Sequence, residues 1–127
     1  MSSNSGLGVN SGFGNSGSGG HDVGFLNSGS GRHEIGFLNT GAGTLQVGIA
    51  NSASGSHTVG VGNTASGNFN TGFGNSGSGS NNTGWYNSGG NDAGIANTGT
   101  NDSGAANAGN LDSGAFNHSD NQSGFFN

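Results

Sequence analysis

The apolar residues of this chain recur at fixed distances from a column of asparagines. Each asparagine of the column stands three residues after a glycine and two residues after an apolar residue. The column repeats every twelve residues in the first part of the chain and every ten residues in the second. Its members are Asn15, Asn27, Asn39, Asn51, Asn63, Asn75, Asn87, Asn97, Asn107, Asn117 and Asn127.

A second apolar residue stands four positions before the asparagine in the first half, so residues 23–27 read Val-Gly-Phe-Leu-Asn. Apolar positions with a period of two predict a β-strand with one buried face. We therefore expect equivalent apolar residues to stack from repeat to repeat as a thin, buried apolar spine. The spine comprises Phe13, Phe25, Phe37, Ile49, Val61, Phe73, Trp85, Ile95 and Phe125.

The repeats predict an all-β protein, a narrow parallel β-solenoid in which one twelve- or ten-residue repeat forms each coil. A hairpin meander is disfavoured because its Asn-Gly and Asp-Gly signals do not occur. Each repeat divides into two pentads, so a four-sided coil with two repeats per turn stays open. We interpret residues 1–127 as a single repeat domain, with twelve-residue repeats over 10–87 and ten-residue repeats over 88–127.

The asparagine column is expected to form a ladder along a corner of the coil. An asparagine amide both donates and accepts hydrogen bonds, so it can satisfy its own corner and the asparagine of the next coil. Asp92, Asp102 and Asp112 open the second pentad of their repeats, and we assign them a similar corner-capping role. Glycines are expected to supply the positive φ angles at the corners.

Composition supports a thin fold. The chain has 31 glycines and no proline among 127 residues, and only 27% of its residues are hydrophobic. An ordinary globular domain uses about 45–50% apolar residues, so either a repeat fold or a disordered chain remains. Only 6% of the residues are charged and the apolar residues are regularly spaced, which favours the repeat fold.

Charge excludes one class of partner. One Lys or Arg stands against six Asp and Glu, so no basic surface is available to neutralise the phosphates of a nucleic acid. No apolar run is long enough to predict a transmembrane segment.

Histidines occupy one repeat position, but they do not form a convincing metal site. His21, His33 and His57 share this position with Leu45 and Phe69 in other repeats. That interchange favours a corner or packing role over metal binding, and the calcium-binding glycine repeat is not reproduced. We predict no catalytic residue, no cofactor and no metal ligand.

Several stretches resemble a known family. "GFGNSGSG" at 12–19, "VGFLNSGSG" at 23–31 and "NTGTNDSGAANAGN" at 97–110 resemble the C-terminal repeats of mycobacterial PPE proteins of the major polymorphic tandem repeat group, with their pentapeptide x-N-x-G-x. The resemblance covers essentially the whole chain. It implies export by a type VII system, a place at the mycobacterial surface or outside the cell, and no catalytic residues.

The predicted function is that of a non-enzymatic structural module of a secreted or cell-surface protein. It would act as a stiff spacer or interaction surface, assemble end to end into fibrils through its coil ends, or contact a host or cell-surface protein. The outer corner at Arg32, His33 and Glu34 is the expected place for specific recognition. The alternative is an ice-binding β-solenoid, because Thr40, Thr64 and Thr98 share one repeat position.

Overall fold

The computed structural model describes residues 4–6 and 8–127, and its regular structure within them is all β. No helix that could cross a membrane occurs in this part of the chain. The strands are β1 (Ser5–Gly6), β2 (Ser11–Phe13), β3 (Ser16–Gly17), β4 (Val23–Phe25), β5 (Glu34–Phe37), β6 (Gln46–Ile49), β7 (Thr58–Val61), β8 (Thr71–Phe73), β9 (Thr83–Trp85), β10 (Ala93–Ile95), β11 (Ser103–Ala105), β12 (Ser113–Ala115) and β13 (Ser123–Phe125).

The chain folds into a parallel β-solenoid with one repeat per coil. An eleven-stranded sheet runs in the order β13-β12-β11-β10-β9-β8-β7-β6-β5-β4-β2, and β1 pairs with β3 in a separate two-stranded sheet. Phe25 lies beside Phe37, twelve residues on, and Ile95 lies beside Ala105, ten residues on. The predicted fold class is therefore confirmed, and the four-sided coil with two repeats per turn is wrong, because such a coil would double these offsets.

Each coil has two walls that meet at two corners. The strands β2 and β4 to β13 form the first wall, and the residues after each ladder asparagine form the second. Two residues with left-handed backbone turn each coil, such as Leu38 with φ 58° and His33 with φ 61°. Each of them stands directly before a buried polar residue, Asn39 and Glu34 respectively. The left-handed turn is what directs those polar side chains inward.

The glycines of the column lie in the middle of the strands, whereas they were expected at corners. Gly36, in β5, has φ 128°, a backbone conformation that side-chain-bearing residues rarely adopt. A Cβ atom added there would collide with the carbonyl oxygen of Gly48 in the next coil. The close stacking of coils therefore requires glycine at this position, and corner turns are made mostly by other residue types.

The interior of the solenoid is polar, so the expected buried apolar spine is wrong in its location. The stacking itself is present, since Phe13, Phe25, Phe37 and their equivalents are in register. Their side chains lie on the outside: Phe25 is 51% exposed and Trp85 is 58% exposed. The residue that alternates with them is a glycine, at which an added Cβ would collide with the carbonyl oxygen of the next coil, so no larger side chain fits on the inner side of the strand.

Candidate functional site

The asparagine ladder forms one edge of the interior. The backbone N–H of Asn39 donates to Oδ1 of Asn27 at 3.0 Å, and the same bond links every consecutive pair of ladder residues at 2.9–3.3 Å. The Asn39 amide also donates to the carbonyl oxygens of Ile35, in its own coil, and Gly48, in the next. Each amide therefore satisfies backbone groups that the corner removes from the strand ladder.

A second polar ladder runs along the opposite edge. The backbone N–H of Asp102 donates to Oδ1 of Asp92 at 3.1 Å, and that of Asp112 donates to Oδ1 of Asp102 at 3.0 Å. The corner-capping role assigned to these three aspartates is therefore what the structure shows. The corresponding positions in the other coils are Asn10, Asp22, Glu34, Gln46, Thr58, Asn70, Asn82 and Gln122.

This second ladder buries carboxyl groups inside the coil. Asp22, Glu34 and Asp92 have no exposed surface, and one oxygen of each carboxyl lacks a hydrogen-bond partner. Burial, reinforced by the charge of Asp22, raises the pKa of Glu34 to about 7. Burial also raises the pKa of Asp22 and of Asp92. Burial therefore favours the protonated, uncharged form of these carboxyls, and this part of the interior is more stable at acidic pH.

The outer side of the first wall is an apolar face. We define it by three residues of each coil, those four, two and one positions before the ladder asparagine, as in Val23, Phe25 and Leu26. The first of the three is Ser or Thr in six of the eleven coils, so the other two columns carry most of the apolar surface. The Phe13 and Phe25 ring centroids lie 6.3 Å apart, and those of Phe25 and Phe37 lie 5.9 Å apart. The result is a ridge of stacked side chains that runs along the rod.

The face has a depression near its middle. Phe73, Trp85 and Tyr86 line a volume of about 190 Å³ that opens to solvent. Gly62 and Gly74 leave the two preceding corner positions of the face without side chains. Tyr86 covers Gly74, where an added Cβ would meet the tyrosine ring at 2.7 Å.

The outer side of the second wall is polar and made of small side chains. Ser16, Ser28, Ser52 and Thr64 are exposed at the position after the ladder asparagine. Backbone hydrogen bonds hold them in register, for example from the N–H of Ser28 to the carbonyl oxygen of Asn39 at 2.9 Å. The two walls thus present opposite chemistries to solvent.

The histidines lie at an exposed corner. The His21 and His33 rings stack at 5.4 Å, and His57 stacks on Phe69 at 4.8 Å. Over residues 4–6 and 8–127, no cluster of three or more His, Cys, Asp or Glu side chains could hold a metal ion. Arg32 and His33 are exposed, but Glu34 is fully buried, so its assignment to the outer corner is wrong.

Sequence reasoning missed one rung of the asparagine ladder. Oδ1 of Asn4 accepts a hydrogen bond from the backbone N–H of Asn15 at 3.0 Å. The available signal was the triplet Asn-Ser-Gly at 4–6, which recurs at 15–17. Its offset of eleven residues falls outside the twelve-residue spacing and hides the equivalence.

Comparison with protein-family models, with curated proteins and with solved structures finds no match to this chain. The resemblance to the mycobacterial repeats rests on the sequence pattern. Its implications for export and location are proposals.

Proposed function

We propose that this chain is a non-enzymatic structural repeat module that acts as a stiff spacer or an interaction surface. The main support is the unbroken parallel sheet, in which the asparagine ladder ties each coil to the next and a second polar ladder links many of them. Such nearest-neighbour bonding along the whole rod resists bending at any single joint. Solution scattering tests the rod: an elongated particle about 50 Å long is expected, and a flexible-chain profile would contradict it.

The proposed location is the cell surface or the medium, with a host or cell-surface protein as a further partner. The support is the resemblance to the mycobacterial PPE repeats. An antibody against the purified chain should label intact cells of the source organism as strongly as permeabilised cells. Labelling that requires permeabilisation would rule out a surface position.

End-to-end assembly is part of the proposal. Strand β13 ends the eleven-stranded sheet, and its outer edge pairs with no strand of residues 4–6 and 8–127. Unpaired edges of parallel strands are templates for pairing with another chain. Electron microscopy should show filaments that lengthen with protein concentration, and particles of one length at all concentrations would contradict assembly.

The polar second wall supports ice binding as a second candidate. Its exposed hydroxyl side chains, such as Ser52 and Thr64, stand in ranks along a regular surface. Such ranks would order water molecules at a fixed spacing. Thermal hysteresis of the purified chain tests this function. Freezing behaviour equal to that of a non-repeat control protein would remove it.

A further inference from the structure

The apolar face is large, regular and free of charge. Of its side chains that the structure describes, none is Lys, Arg, Asp or Glu. Five of the six acidic residues lie at the inner second-ladder edge, and the charged residues left exposed are Arg32 and Asp120. A contiguous exposed apolar surface of this kind marks an interaction site in soluble proteins.

The size of the face is sufficient for a stable interface. Eleven strands spaced about 4.8 Å apart give a length of about 50 Å, and four residues of extended chain give a width of about 13 Å. The footprint is therefore roughly 650 Å², close to the ~800 Å² that each partner contributes to a standard interface. Because side chains project from this footprint, the accessible area is larger.

The order of large and small side chains along the face identifies a fitting occupant. Bulky residues cluster in the N-terminal coils, and alanines stand in coils near the other end. Consider a second copy that is rotated by 180° about an axis parallel to the central strand β8 and lying in the interface. Each coil of one copy then faces the coil of the other copy that lies equally far from the opposite end of the rod. The facing central residues are then Phe13 with Phe125, Phe25 with Ala115, Phe37 with Ala105, Ile49 with Ile95, Val61 with Trp85, and Phe73 with its own copy.

The neighbouring column at the corner adds three pairs in which a large side chain faces alanine or glycine. Gly62, which has no side chain, faces Tyr86, and Gly14, also without one, faces Phe126. Leu38 likewise faces Ala106. Five of the twelve pairs in the two columns set a large side chain against alanine or glycine, which favours interdigitation of two sheets about 10 Å apart. Phe13 with Phe125, Leu26 with Phe116, and Phe73 with its own copy are pairs of two large side chains.

We propose that a second copy of this chain covers the apolar face, in a two-fold dimer with antiparallel rods packed sheet on sheet. This interface is distinct from the coil ends, because it doubles the thickness of the rod and leaves its length unchanged. It also uses one self-complementary patch, as closed two-fold dimers do. A lipid surface is the competing occupant, and the experiment separates the two.

The first test places a charge at the two-fold axis. Phe73→Asp would bring two carboxylates together in the dimer, whereas Ser66→Asp adds the same charge to the polar wall. Analytical ultracentrifugation should give a dimer, twice 12.2 kDa, for the wild type and for S66D. F73D should be monomeric or dissociate at least 100-fold more readily, with an unchanged circular dichroism spectrum. A monomeric wild type, or an F73D dimer of unchanged affinity, overturns the proposal.

The second test examines the antiparallel register. Ala105→Phe would set Phe against Phe37 of the other copy and should weaken the dimer at least tenfold. The double variant F37A/A105F exchanges the two sizes and should recover most of the wild-type affinity. Ala105 is half-buried and Phe occupies this column in several coils, so the monomer fold should tolerate both changes. Failure of the double variant to recover excludes this register.

Vesicles of neutral phosphatidylcholine test the competing occupant. The dimer model predicts no flotation of wild-type protein with vesicles under conditions where it is dimeric. The opposite result would be a wild type that is monomeric without lipid and floats with the vesicles, together with an S66D that floats and an F73D that does not. That result would assign the face to a membrane and overturn the dimer. Filament formation through the coil ends is read separately, by particle length.

Discussion

At the residue scale, an asparagine side chain stabilises the interior of each coil through hydrogen bonds, whereas larger apolar residues stabilise ordinary protein interiors through packing. Oδ1 of Asn63 accepts from the backbone N–H of Asn75 at 2.9 Å. Its Nδ2 donates to the carbonyl oxygens of Val59 and Gly72 at 3.3 and 3.0 Å. Because Asn63 is fully buried, the value of its amide lies in the backbone groups it satisfies more than in the area it buries.

Asn63→Ala should therefore destabilise the fold by about 3 kcal/mol or more, since each unsatisfied buried group costs about 1–3 kcal/mol. The matched control is Thr64→Ala, at the adjacent exposed position, which should stay within about 0.5 kcal/mol of the wild type. Urea unfolding followed by circular dichroism measures both. Equal midpoints for N63A and T64A would show that the ladder contributes little.

Glu34 should make stability depend on pH. Its pKa is about 7 in the folded protein, raised from 4.5 by burial and by Asp22. The folded state then binds more protons than the unfolded state between pH 4.5 and 7, so stability falls as pH rises through this window. Glu34→Gln should flatten that fall, by up to about 3 kcal/mol. Thr64→Ala, at an exposed position of the second wall, is the control and should leave the profile unchanged, because it removes no titratable group.

The residue roles could be predicted from the sequence only where spacing decides them. The Asn column was identifiable because no rung from Asn15 to Asn127 is missing. Alternation around Phe25 shows which side chains share a face, but it does not say which face is inside. The deciding feature is the left-handed backbone of Leu26 (φ 56°), which turns Asn27 inward. Leucine carries no sequence signal for that conformation.

At the element scale, the strands depend on a glycine that has no room for a side chain. Gly72→Ala in β8 should cost about 3 kcal/mol or more, because the backbone has φ 130° and the new Cβ would meet the carbonyl oxygen of Gly84. Gly62→Ala is the control, since φ there is 64° and nothing lies within 4 Å of the added atom. Ala50 holds the same corner conformation one coil earlier. G62A should cost only about 1 kcal/mol.

Thermal unfolding of G72A and G62A compares the destabilisation that an added side chain causes at the two sites. If G72A and G62A had the same melting temperature, the strand glycine would not be required by the stacking of coils. The strand register itself was predictable, because the twelve- and ten-residue periods fix which residues pair. The need for glycine inside the strand was not, because it arises from the carbonyl oxygen of the neighbouring coil.

At the scale of the whole molecule, the repeat is the unit that can be removed without disturbing the rest. Deletion of 97–106 takes out one coil and joins Ala96 to Asn107, so both ladders and both walls continue. Deletion of 97–101 takes out one pentad, and the apolar and polar walls would exchange places in every later coil. The exchange sets strand glycines with positive φ, such as Gly104, against positions of the second wall that lack this conformation.

The coil deletion should therefore melt cooperatively and close to the wild type, since it loses only one of many similar nearest-neighbour interfaces. The pentad deletion should melt at least 10 °C lower, or lose its β circular dichroism signal beyond the junction, although it removes half as many residues. The two deletions share the same junction residue, Ala96, so the comparison isolates the register. Equal melting temperatures would mean that the pentad, rather than the two-walled coil, is the independent structural unit of this rod.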